Sequence, residues 1–302
     1  AALCCVDTPA WHLPDLQIPD IMRQMNYGGG STGDPRDLRG VDRVVYVGVG
    51  GGLEALQFAY FLRRRGAVIA VDPVAEMRQR AEAHFRVAAR VNSWFRPEFV
   101  DLRDGTALSL PVESNSVGLA AQNCLFNVFR DAELEQALAE VARVLRVGGV
   151  FVTSDPITPE PLPEAFRADD VARARCLAGC QTIEEYLDAL VHAGFGRIDI
   201  RARRPYRLVT PAEFRGLTHA VLLESVEVAA YKVPDGVDGP AIFSGRCALY
   251  GGAETQYVDE SGMVLSRGIP VPVSDAAARR LSSHRDITLT GPTYHARGGG
   301  CC

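Results

Sequence analysis

The sequence lacks any apolar run long enough to span a membrane, and its start has no basic stretch followed by an apolar one. It also lacks a strong charge of either sign, because the net charge is only -5 over 302 residues. Proteins that bind nucleic acid usually present a basic surface, so nucleic acid is not expected as a main partner. These absences predict a cytoplasmic protein with neither a membrane nor a nucleic acid as its partner.

The cysteines follow no standard metal motif, since the chain has no CxxC pair and no Cys/His cluster with the spacing of a zinc finger. The chain is also too long for a secreted disulfide scaffold, which is usually short and dense in cysteine. In a cytosolic setting these residues are expected to be free thiols, and any thiol site must be assembled from distant segments. The eight cysteines are Cys4, Cys5, Cys124, Cys176, Cys180, Cys247, Cys301 and Cys302.

Between residues 41 and 153, short apolar runs alternate with patterns of helical period, which predicts βαβ units and a parallel sheet. Doubly wound sheets of this kind bind ligands outside the carboxyl ends of their strands. Strands are predicted at residues 43–47, 67–71, 99–102, 117–122 and 150–153. Helices are predicted from Leu53 to Gly66, from Pro73 to about Val91, and along the apolar stripe of Leu134, Leu138, Val141 and Leu145.

Beyond residue 155 the pattern changes to a proline-rich connection followed by a smaller α+β region. Thr182 and Glu185 form a capping box for a helix that ends at Gly194. Strand-like runs follow at 197–202, 221–231 and 241–250. The arginines of this region are predicted to lie on a solvated face; they are Arg197, Arg201, Arg203, Arg204 and Arg207.

The glycines after the first strand indicate the cofactor. A dinucleotide-binding loop reads G-x-G-x-x-G, but its third glycine is replaced here by Leu53, which disfavours a nicotinamide oxidoreductase. Gly48, Gly50 and Gly52 instead form the G-x-G-x-G loop of S-adenosylmethionine (SAM) methyltransferases, where the absence of a Cβ lets the backbone approach the ligand. Asp72, at the end of the next strand, can accept both ribose hydroxyls. A tight turn without a ligand is the alternative.

The segment "LAAQNCLFNVF" places Cys124 where the fourth strand ends. An isolated free cysteine is usually buried and packs as a small hydrophobe. A class I methyltransferase, however, commonly lines its acceptor site with the residues that follow this strand. Cys124 is therefore either a core thiol or a thiol that faces the transferable methyl group.

Seven segments together resemble the arsenite SAM methyltransferases, and most closely the branch associated with arsenosugar biosynthesis. The similarity runs from Leu3 to at least Arg203, and the region to about Leu281, with "DESGMVLSRGIPVPV", resembles the C-terminal part of that branch. The resemblance implies an α/β fold, a class I SAM-methyltransferase Rossmann-like parallel sheet with a smaller α+β C-terminal region. The segments are "LCCV", "NYGGG", "YVGVGGGLEALQFAYF", "VIAVDPVAEM", "QNCLFNVF", "RVLRVGGVFVTSDP" and "RCLAG".

The resemblance also implies transfer of a methyl group to trivalent arsenic, as arsenite or methylarsenite, with a thiol reductant such as glutathione or thioredoxin as co-substrate. Thiolates suit arsenic because it is a soft, thiophilic centre. Cys124 and Cys176 match the cysteines that hold arsenic. Cys4 and Cys5 match the N-terminal pair, in which Cys4 is credited with delivery and redox exchange. The positions expected to contact SAM are Tyr27, Gly48, Gly50, Gly52, Asp72, Pro73, Met77, Thr106, Ala107 and Asn123.

The chain departs from the family at several positions. Gly29 stands where the family usually has a cysteine, and a glycine there could serve a positive φ. Cys180 stands where the family often has a small residue. If its segment is helical, Cys176 and Cys180 lie on one face, so that Cys180, Cys5 or the Cys301–Cys302 pair could replace the missing thiol. Tyr46 occupies a place where many methyltransferases carry an acid, and Cys247 is expected in the core.

The resulting division is an N-terminal cap with the cysteine pair (1–40), a SAM-binding domain (41–155), an acceptor-binding helical segment (156–200), an α+β region (201–285) and a flexible Gly/Cys tail (286–302). Two other functions stay open. One is a SAM methyltransferase for another soft or small organic acceptor, which the missing cysteine favours slightly. The other is a protein that binds a metalloid without turnover.

Overall fold

The computed structural model describes residues 13–25, 29–236 and 238–293. Four of the predicted thiols (Cys4, Cys5, Cys301 and Cys302) and the predicted SAM contact Tyr27 lie outside the described residues. Across the described part of the chain, no helix combines the length and the apolar character needed to cross a membrane.

Helices and short strands alternate along the first half of the chain, and strands dominate the second half. The helices are α1 Asp20–Arg23, α2 Leu53–Leu62, α3 Ala75–Val91, α4 Asp131–Val144, α5 Glu164–Arg167, α6 Asp170–Ala174, α7 Ile183–His192 and α8 Asp275–Leu281. The strands are β1 Val44–Val47, β2 Val68–Val71, β3 Val100–Arg103, β4 Val117–Asn123, β5 Leu145–Ile157, β6 Arg197–Val209, β7 Val221–Tyr231, β8 Ala241–Phe243, β9 Cys247–Tyr250, β10 Gln256–Val258, β11 Val264–Ser266, β12 Val271–Pro272 and β13 Ile287–Leu289.

The main sheet has the order β3-β2-β1-β4-β5-β7-β6-β8. Strands β1 to β5 pair in parallel, which confirms the predicted α/β class and parallel sheet, while β7 runs antiparallel to both β5 and β6. The chain extends outwards from β1 through β2 to β3 and then returns to the other side of β1 with β4. The crevice at the carboxyl ends of β1 and β4 is therefore the topological switch point, where such sheets bind ligands.

Strand β1 is buried on both faces of the sheet, as the apolar run "VVYV" predicts. Val45 and Val47 belong to the apolar cluster that includes residues of α4 and α7, whereas Val44 and Tyr46 belong to the cluster that includes residues of α2 and α3. Parallel pairing with β2 and β4 brings the carboxyl end of β1 to the same edge as the carboxyl ends of those strands.

The second half of the chain differs from the predicted division. Strand β6 runs unbroken through the predicted boundary between residues 200 and 201, because β6 and β7 pair along their lengths as part of the main sheet. The run 241–250 is two strands in different sheets, separated by a turn at Gly245. Residues 287–289, placed in a flexible tail by the prediction, form β13 on β9, because the Ile287 side chain packs into the C-terminal apolar cluster.

The prediction of a solvated arginine face is wrong for Arg201. Its side chain is only 8% exposed, it forms an ion pair with Asp37, and it donates to the Tyr231 hydroxyl at 3.1 Å. The strand lies inside the main sheet rather than in a half-covered appendage, so the residues before β1 pack over it. A buried guanidinium needs such partners, since an unpaired buried charge is costly.

Candidate active site

The glycine loop between β1 and α2 has a backbone that other residues would adopt poorly. Gly48, Gly50 and Gly52 all have positive φ, at 82°, 51° and 82°. A Cβ at Gly48 would lie 2.9 Å from a methyl carbon of Leu125, and one at Gly52 would lie 2.8 Å from the Phe85 ring. Gly52 therefore allows the start of α2 to pack closely against Phe85 of α3, and the loop presents bare backbone at the switch point.

Asp72 lies at the end of β2, where its carboxylate is oriented by backbone. One oxygen accepts from Val49 N at 3.0 Å and the other from Val74 N at 2.9 Å. Burial raises the pKa of Asp72, although these hydrogen bonds and the Arg78 guanidinium lower it. The Gly50 N–H is a third backbone donor to this carboxylate. A carboxylate offers about four acceptor sites, so the group can still accept a hydroxyl donor from a bound ligand.

The remaining positions expected to contact SAM are on neighbouring strand ends. Pro73 is exposed directly after Asp72, and Met77 is half-buried in the first turn of α3. Thr106 and Ala107 lie in the turn after β3, which is closed by a hydrogen bond from Ser109 N to Thr106 O at 3.2 Å. The topology thus brings these residues to the same edge as the glycine loop.

Asn123, the last residue of β4, holds the segment 29–34, which we name the N-terminal strap. Its Oδ1 accepts from Gly29 N at 3.0 Å, and its Nδ2 donates to Gly30 O at 2.9 Å. The same Nδ2 donates to Glu54 Oε1 at 3.1 Å. In this structure Asn123 therefore joins the strap to the first turn of α2.

Glu54 is a buried carboxyl that the sequence analysis missed. It is 3% exposed, accepts from Thr32 N and Thr32 Oγ1 at 3.2 and 2.8 Å, and accepts from the Tyr46 hydroxyl. Burial raises the pKa of Glu54, while hydrogen bonds from Tyr46, Thr32 and Asn123 lower it. Burial also raises the pKa of Tyr46 well above 10.0, with further contributions from Glu54 and Cys124. The Tyr46 hydroxyl and the Glu54 carboxyl therefore form one buried hydrogen-bonded pair near the end of β1.

Strands β6 and β7 hold the strap from its other side. Ser225 Oγ and Arg204 donate to Gly29 O at 2.8 and 2.6 Å, and Glu227 Oε1 accepts from Ser31 N at 3.1 Å. Burial raises the pKa of Glu227, against the effect of Arg204 and the Ser31 N–H. Sequence reasoning missed these residues, although a glutamate flanked by valines in "ESVEVAAY" signals a polar residue in a buried strand.

Cys124 follows Asn123 with a left-handed backbone, at a φ of 56°. Its N–H donates to Ser154 O at 2.7 Å, and its Sγ lies 3.9 Å from the Tyr206 hydroxyl. Non-glycine residues seldom adopt positive φ, and such conformations cluster at functional sites. The chain therefore accepts a backbone cost where β4 ends, and the thiol is 5% exposed.

Cys176 also has a left-handed backbone, at a φ of 57°, and it is half-buried. Helix α6 ends at Ala174, so the segment 176–180 is not helical and the condition for Cys176 and Cys180 to share a helix face is not met. The Cys180 thiol is 1% exposed, packs in an apolar cluster and lies 3.4 Å from Asn127 Nδ2.

The turns that carry Cys124 and Cys176 pack against each other. Asn127, in the short 3₁₀ helix after Cys124, contacts the Cys180 thiol, and a Cβ at Gly179 would lie 2.3 Å from Asn127 O. Arg173 donates to Phe129 O at 3.0 Å. The structure thus brings together two loops that are about fifty residues apart in sequence.

A buried network supports the Cys124 turn from within the sheet, and the sequence analysis missed it. Asp155 is fully buried and accepts from Thr153 Oγ1 at 2.7 Å and from the Tyr186 hydroxyl at 2.9 Å. Burial raises the pKa of Asp155, while its hydrogen bonds to Thr153, Tyr186 and Gln122 lower it. Gln122 also accepts from Leu125 N at 2.9 Å. The polar residues of "VTSDP" within an otherwise apolar strand are the sequence feature that could have indicated this network.

Within residues 13–25, 29–236 and 238–293, no group of three or more His, Cys, Asp or Glu side chains could hold a metal ion. Cys247 is half-exposed in β9, where its N–H donates to Thr290 Oγ1 at 2.9 Å. It takes part in ordinary strand pairing and lies in the small C-terminal sheet, and its thiol is not in the fully buried core that the sequence predicted.

Comparisons with known proteins agree with this geometry. Residues 45–153 match the family model of a methyltransferase domain. The chain is 30% identical over 159 residues to an arsenite methyltransferase of Halobacterium salinarum, covering 53% of this chain and 38% of that protein. It is also 30% identical over 183 residues to an arsenite methyltransferase of Aquipseudomonas alcaligenes, covering 58% and 51%. The chain thus spans about half or less of the length of these relatives.

A solved structure extends the likeness over nearly the whole chain. It is an arsenic(III) S-adenosylmethionine methyltransferase from Chlamydomonas reinhardtii, with a TM-score of 0.68, 22% identity, and coverage of 95% of this chain and 97% of that one. At this identity the likeness shows the fold. The resemblance to arsenite methyltransferases is confirmed by these comparisons, and the closer match to the arsenosugar branch stays a prediction.

Proposed function

We propose that this chain transfers a methyl group from SAM to trivalent arsenic, with arsenite as the substrate and the thiolates of Cys124 and Cys176 as its ligands. One observation carries the proposal. The two cysteines that the family resemblance selected both have left-handed backbones, on turns that pack against each other, and Leu125 in the Cys124 turn lies next to Gly48 of the glycine loop. Strained non-glycine residues cluster at functional sites, which supports a functional role for these cysteines.

The residues at the switch point fit SAM. Three left-handed glycines leave bare backbone between β1 and α2, and the Asp72 carboxylate at the end of β2 retains acceptor capacity for a ribose hydroxyl. When bound, SAM supplies an electrophilic methyl group on a positively charged sulfur, which becomes a neutral thioether after transfer. Met77, Thr106 and Ala107 complete this side of the proposed site.

The protein's own contribution is mainly placement. Two thiolates on converging turns hold a soft trivalent centre with its lone pair intact, and the hydrogen bonds from Leu125 N to Gln122 and from Cys124 N to Ser154 O keep the turn after β4 in position. Bringing two bound partners to the distance of reaction removes much of the entropic barrier of a bimolecular step. Methylation oxidises arsenic from the trivalent to the pentavalent state, so a thiol reductant such as glutathione or thioredoxin would restore the trivalent state.

The decisive experiment is arsenic speciation after incubation of the protein with SAM, arsenite and glutathione. We expect methylated arsenic and one S-adenosylhomocysteine for each methyl group, with neither formed by Cys124→Ser. The Cys247→Ser variant is the matched control, since it removes a thiol outside the proposed site. Binding of SAM without methylated arsenic would instead favour another soft or small acceptor, and binding of arsenite without turnover would favour a metalloid-binding protein.

A further inference from the structure

Tyr206 has no role in the family resemblance, yet it lies at the meeting point of the proposed arsenic site. It belongs to β6, and its hydroxyl oxygen is 3.9 Å from the Cys124 sulfur. Its ring packs against the apolar cluster that contains Leu177, Ala178 and Cys180, the residues directly after Cys176. One side chain therefore lies beside the Cys124 sulfur and packs against the apolar cluster to which the residues after Cys176 belong.

Tyr206 also borders the position of the missing thiol. A Cβ at Gly29 would lie 3.6 Å from the Cε2 atom of the Tyr206 ring, an ordinary contact distance. A cysteine at position 29 would therefore extend from beside this ring. Where relatives with a cysteine would offer a third sulfur, this chain offers a phenol hydroxyl near Cys124.

We propose that Tyr206 is a specificity-determining residue whose hydroxyl hydrogen-bonds the oxygen ligand that arsenic retains when it is bound by only two cysteines. This inference rests on the proposed function. Arsenic bound at Cys124 would be attached directly to the sulfur atom that the Tyr206 hydroxyl already contacts. A phenol both donates and accepts hydrogen bonds, so it can pair with a hydroxyl on arsenic in either sense.

The chemistry of the two candidate arsenicals differs at this point. Arsenite has three exchangeable positions, so on two thiolates it keeps one hydroxyl. Methylarsenite has two exchangeable positions, both taken by the thiolates, and its third substituent is a methyl group that cannot form this hydrogen bond. Tyr206 thus favours arsenite over methylarsenite, and removal of its hydroxyl should reduce that preference without changing the thiol ligands.

The test is Tyr206→Phe, which removes one oxygen and keeps the ring in its cluster. Tyr60→Phe is the matched control, because the Tyr60 hydroxyl on α2 donates to Pro14 O at 2.8 Å, outside the proposed site. Binding of arsenite and of methylarsenite is measured separately, without SAM, from the ultraviolet absorbance of arsenic–sulfur bonds. Methylation rates with each arsenical are measured in parallel.

We expect Tyr206→Phe to weaken arsenite binding about 3- to 10-fold, the usual worth of one hydrogen bond, and to leave methylarsenite binding unchanged. No change for either arsenical, or an equal loss for both, would overturn the assignment, because a structural role would not distinguish the two. If the natural protein forms no methylated arsenic, the proposed function fails. The comparison of the arsenite and methylarsenite binding constants still tests the role of Tyr206, because these constants are measured without turnover.

Discussion

The carboxyl edge of the main sheet and the C-terminal region (residues 241–293) both bury acidic side chains, but they do so differently. In the turn between β10 and β11 of the C-terminal region, burial tends to raise the pKa of Asp259, yet hydrogen bonds from Ser261, Met263 and Gly262 bring that pKa below its usual value. At the carboxyl edge, burial prevails, and the pKa values of Glu54 and Asp155 are raised despite their hydrogen bonds.

The cysteines show the same contrast. Cys247 lies in β9, where its backbone N–H donates to the Thr290 hydroxyl and its C=O accepts from the Thr290 N–H. Cys124 and Cys176 instead occupy left-handed turns. In the C-terminal region, hydrogen bonds therefore satisfy the buried carboxylate of Asp259 and the backbone of Cys247. The carboxyl edge of the main sheet instead retains carboxyl groups with raised pKa values and cysteines with strained backbone. Shifted pKa values and strained backbone conformations cluster where a protein binds or reacts with a ligand.

The sharpest test of this contrast replaces one thiol at a time. We expect Cys124→Ser and Cys176→Ser each to reduce arsenite methylation by at least about 100-fold, because a single thiolate loses the effective concentration of a chelate. Cys247→Ser should retain the natural rate. The measurement is the rate of methylated arsenic formation at fixed SAM and glutathione. Full activity in either of the first two variants would move the substrate site elsewhere.

A smaller effect is expected for Asp72→Ala, which tests the cofactor side of the edge. Loss of the ribose acceptor should weaken SAM binding by about 1–3 kcal/mol, or about 5- to 150-fold in Kd. Calorimetric titration with SAM measures it. Asp42→Ala is a suitable control, since that carboxylate is exposed before the amino end of β1, where it lies 3.8 Å from Arg146. Equal SAM affinity in Asp72→Ala and the natural protein would remove Asp72 from the cofactor site.

Gly29→Cys tests whether the absent thiol limits the enzyme. Gly29 lies outside the left-handed region, so a side chain adds no backbone strain, and its Cβ would lie 3.0 Å from the movable Ser225 Oγ. In the natural protein, turnover of arsenite should depend more steeply on glutathione than turnover of methylarsenite. The substitution should lower the glutathione concentration for half-maximal arsenite turnover at least about 10-fold, because the third thiol is then intramolecular.

Gly29→Ser is the matched control, because it adds a side chain of similar size without a thiolate. A rate series over glutathione concentration, with both arsenicals and all three proteins, gives the answer. The same glutathione dependence for arsenite and methylarsenite in the natural protein would contradict a two-thiol site. An unchanged dependence in Gly29→Cys would indicate that another thiol already completes it.

The smallest effect concerns the buried carboxyl at the edge. Because the pKa of Glu54 is raised on folding, its contribution to stability is full below its ordinary value of 4.5 and is lost as the pH rises through the folded value. The free energy of unfolding of Glu54→Gln should therefore increase relative to that of the natural protein as the pH rises. An amide can keep the bonds to Thr32 and Asn123 and donate to Tyr46.

Urea denaturation at several pH values between 4 and 8 measures this difference. The exposed Glu82, which pairs with Arg86 at 2.6 Å, offers Glu82→Gln as a control for the change in net charge. A constant difference between Glu54→Gln and the natural protein across this range would contradict the raised pKa.

Local rules were enough to predict several features of this protein. The alternation of strands and helices from β1 to β5, the capping box of Thr182 and Glu185, and the position of the glycine loop each depend on residues close together in the sequence. The parallel sheet then follows from the crossover helices, and the end of each strand locates Asp72, Asn123 and Cys124 at one edge.

Only the tertiary structure decided the rest, because these features depend on pairs of residues that are far apart in the chain. Arg201 is buried because Asp37 reaches it across 164 positions, and Ser225 meets Gly29 across 196. The addition of β6 and β7 to the main sheet places Tyr206 beside Cys124. Because α6 ends at Ala174, the chain turns there and the Cys180 side chain packs in an apolar cluster. No local pattern encodes such contacts, since packing across the sheet selects them.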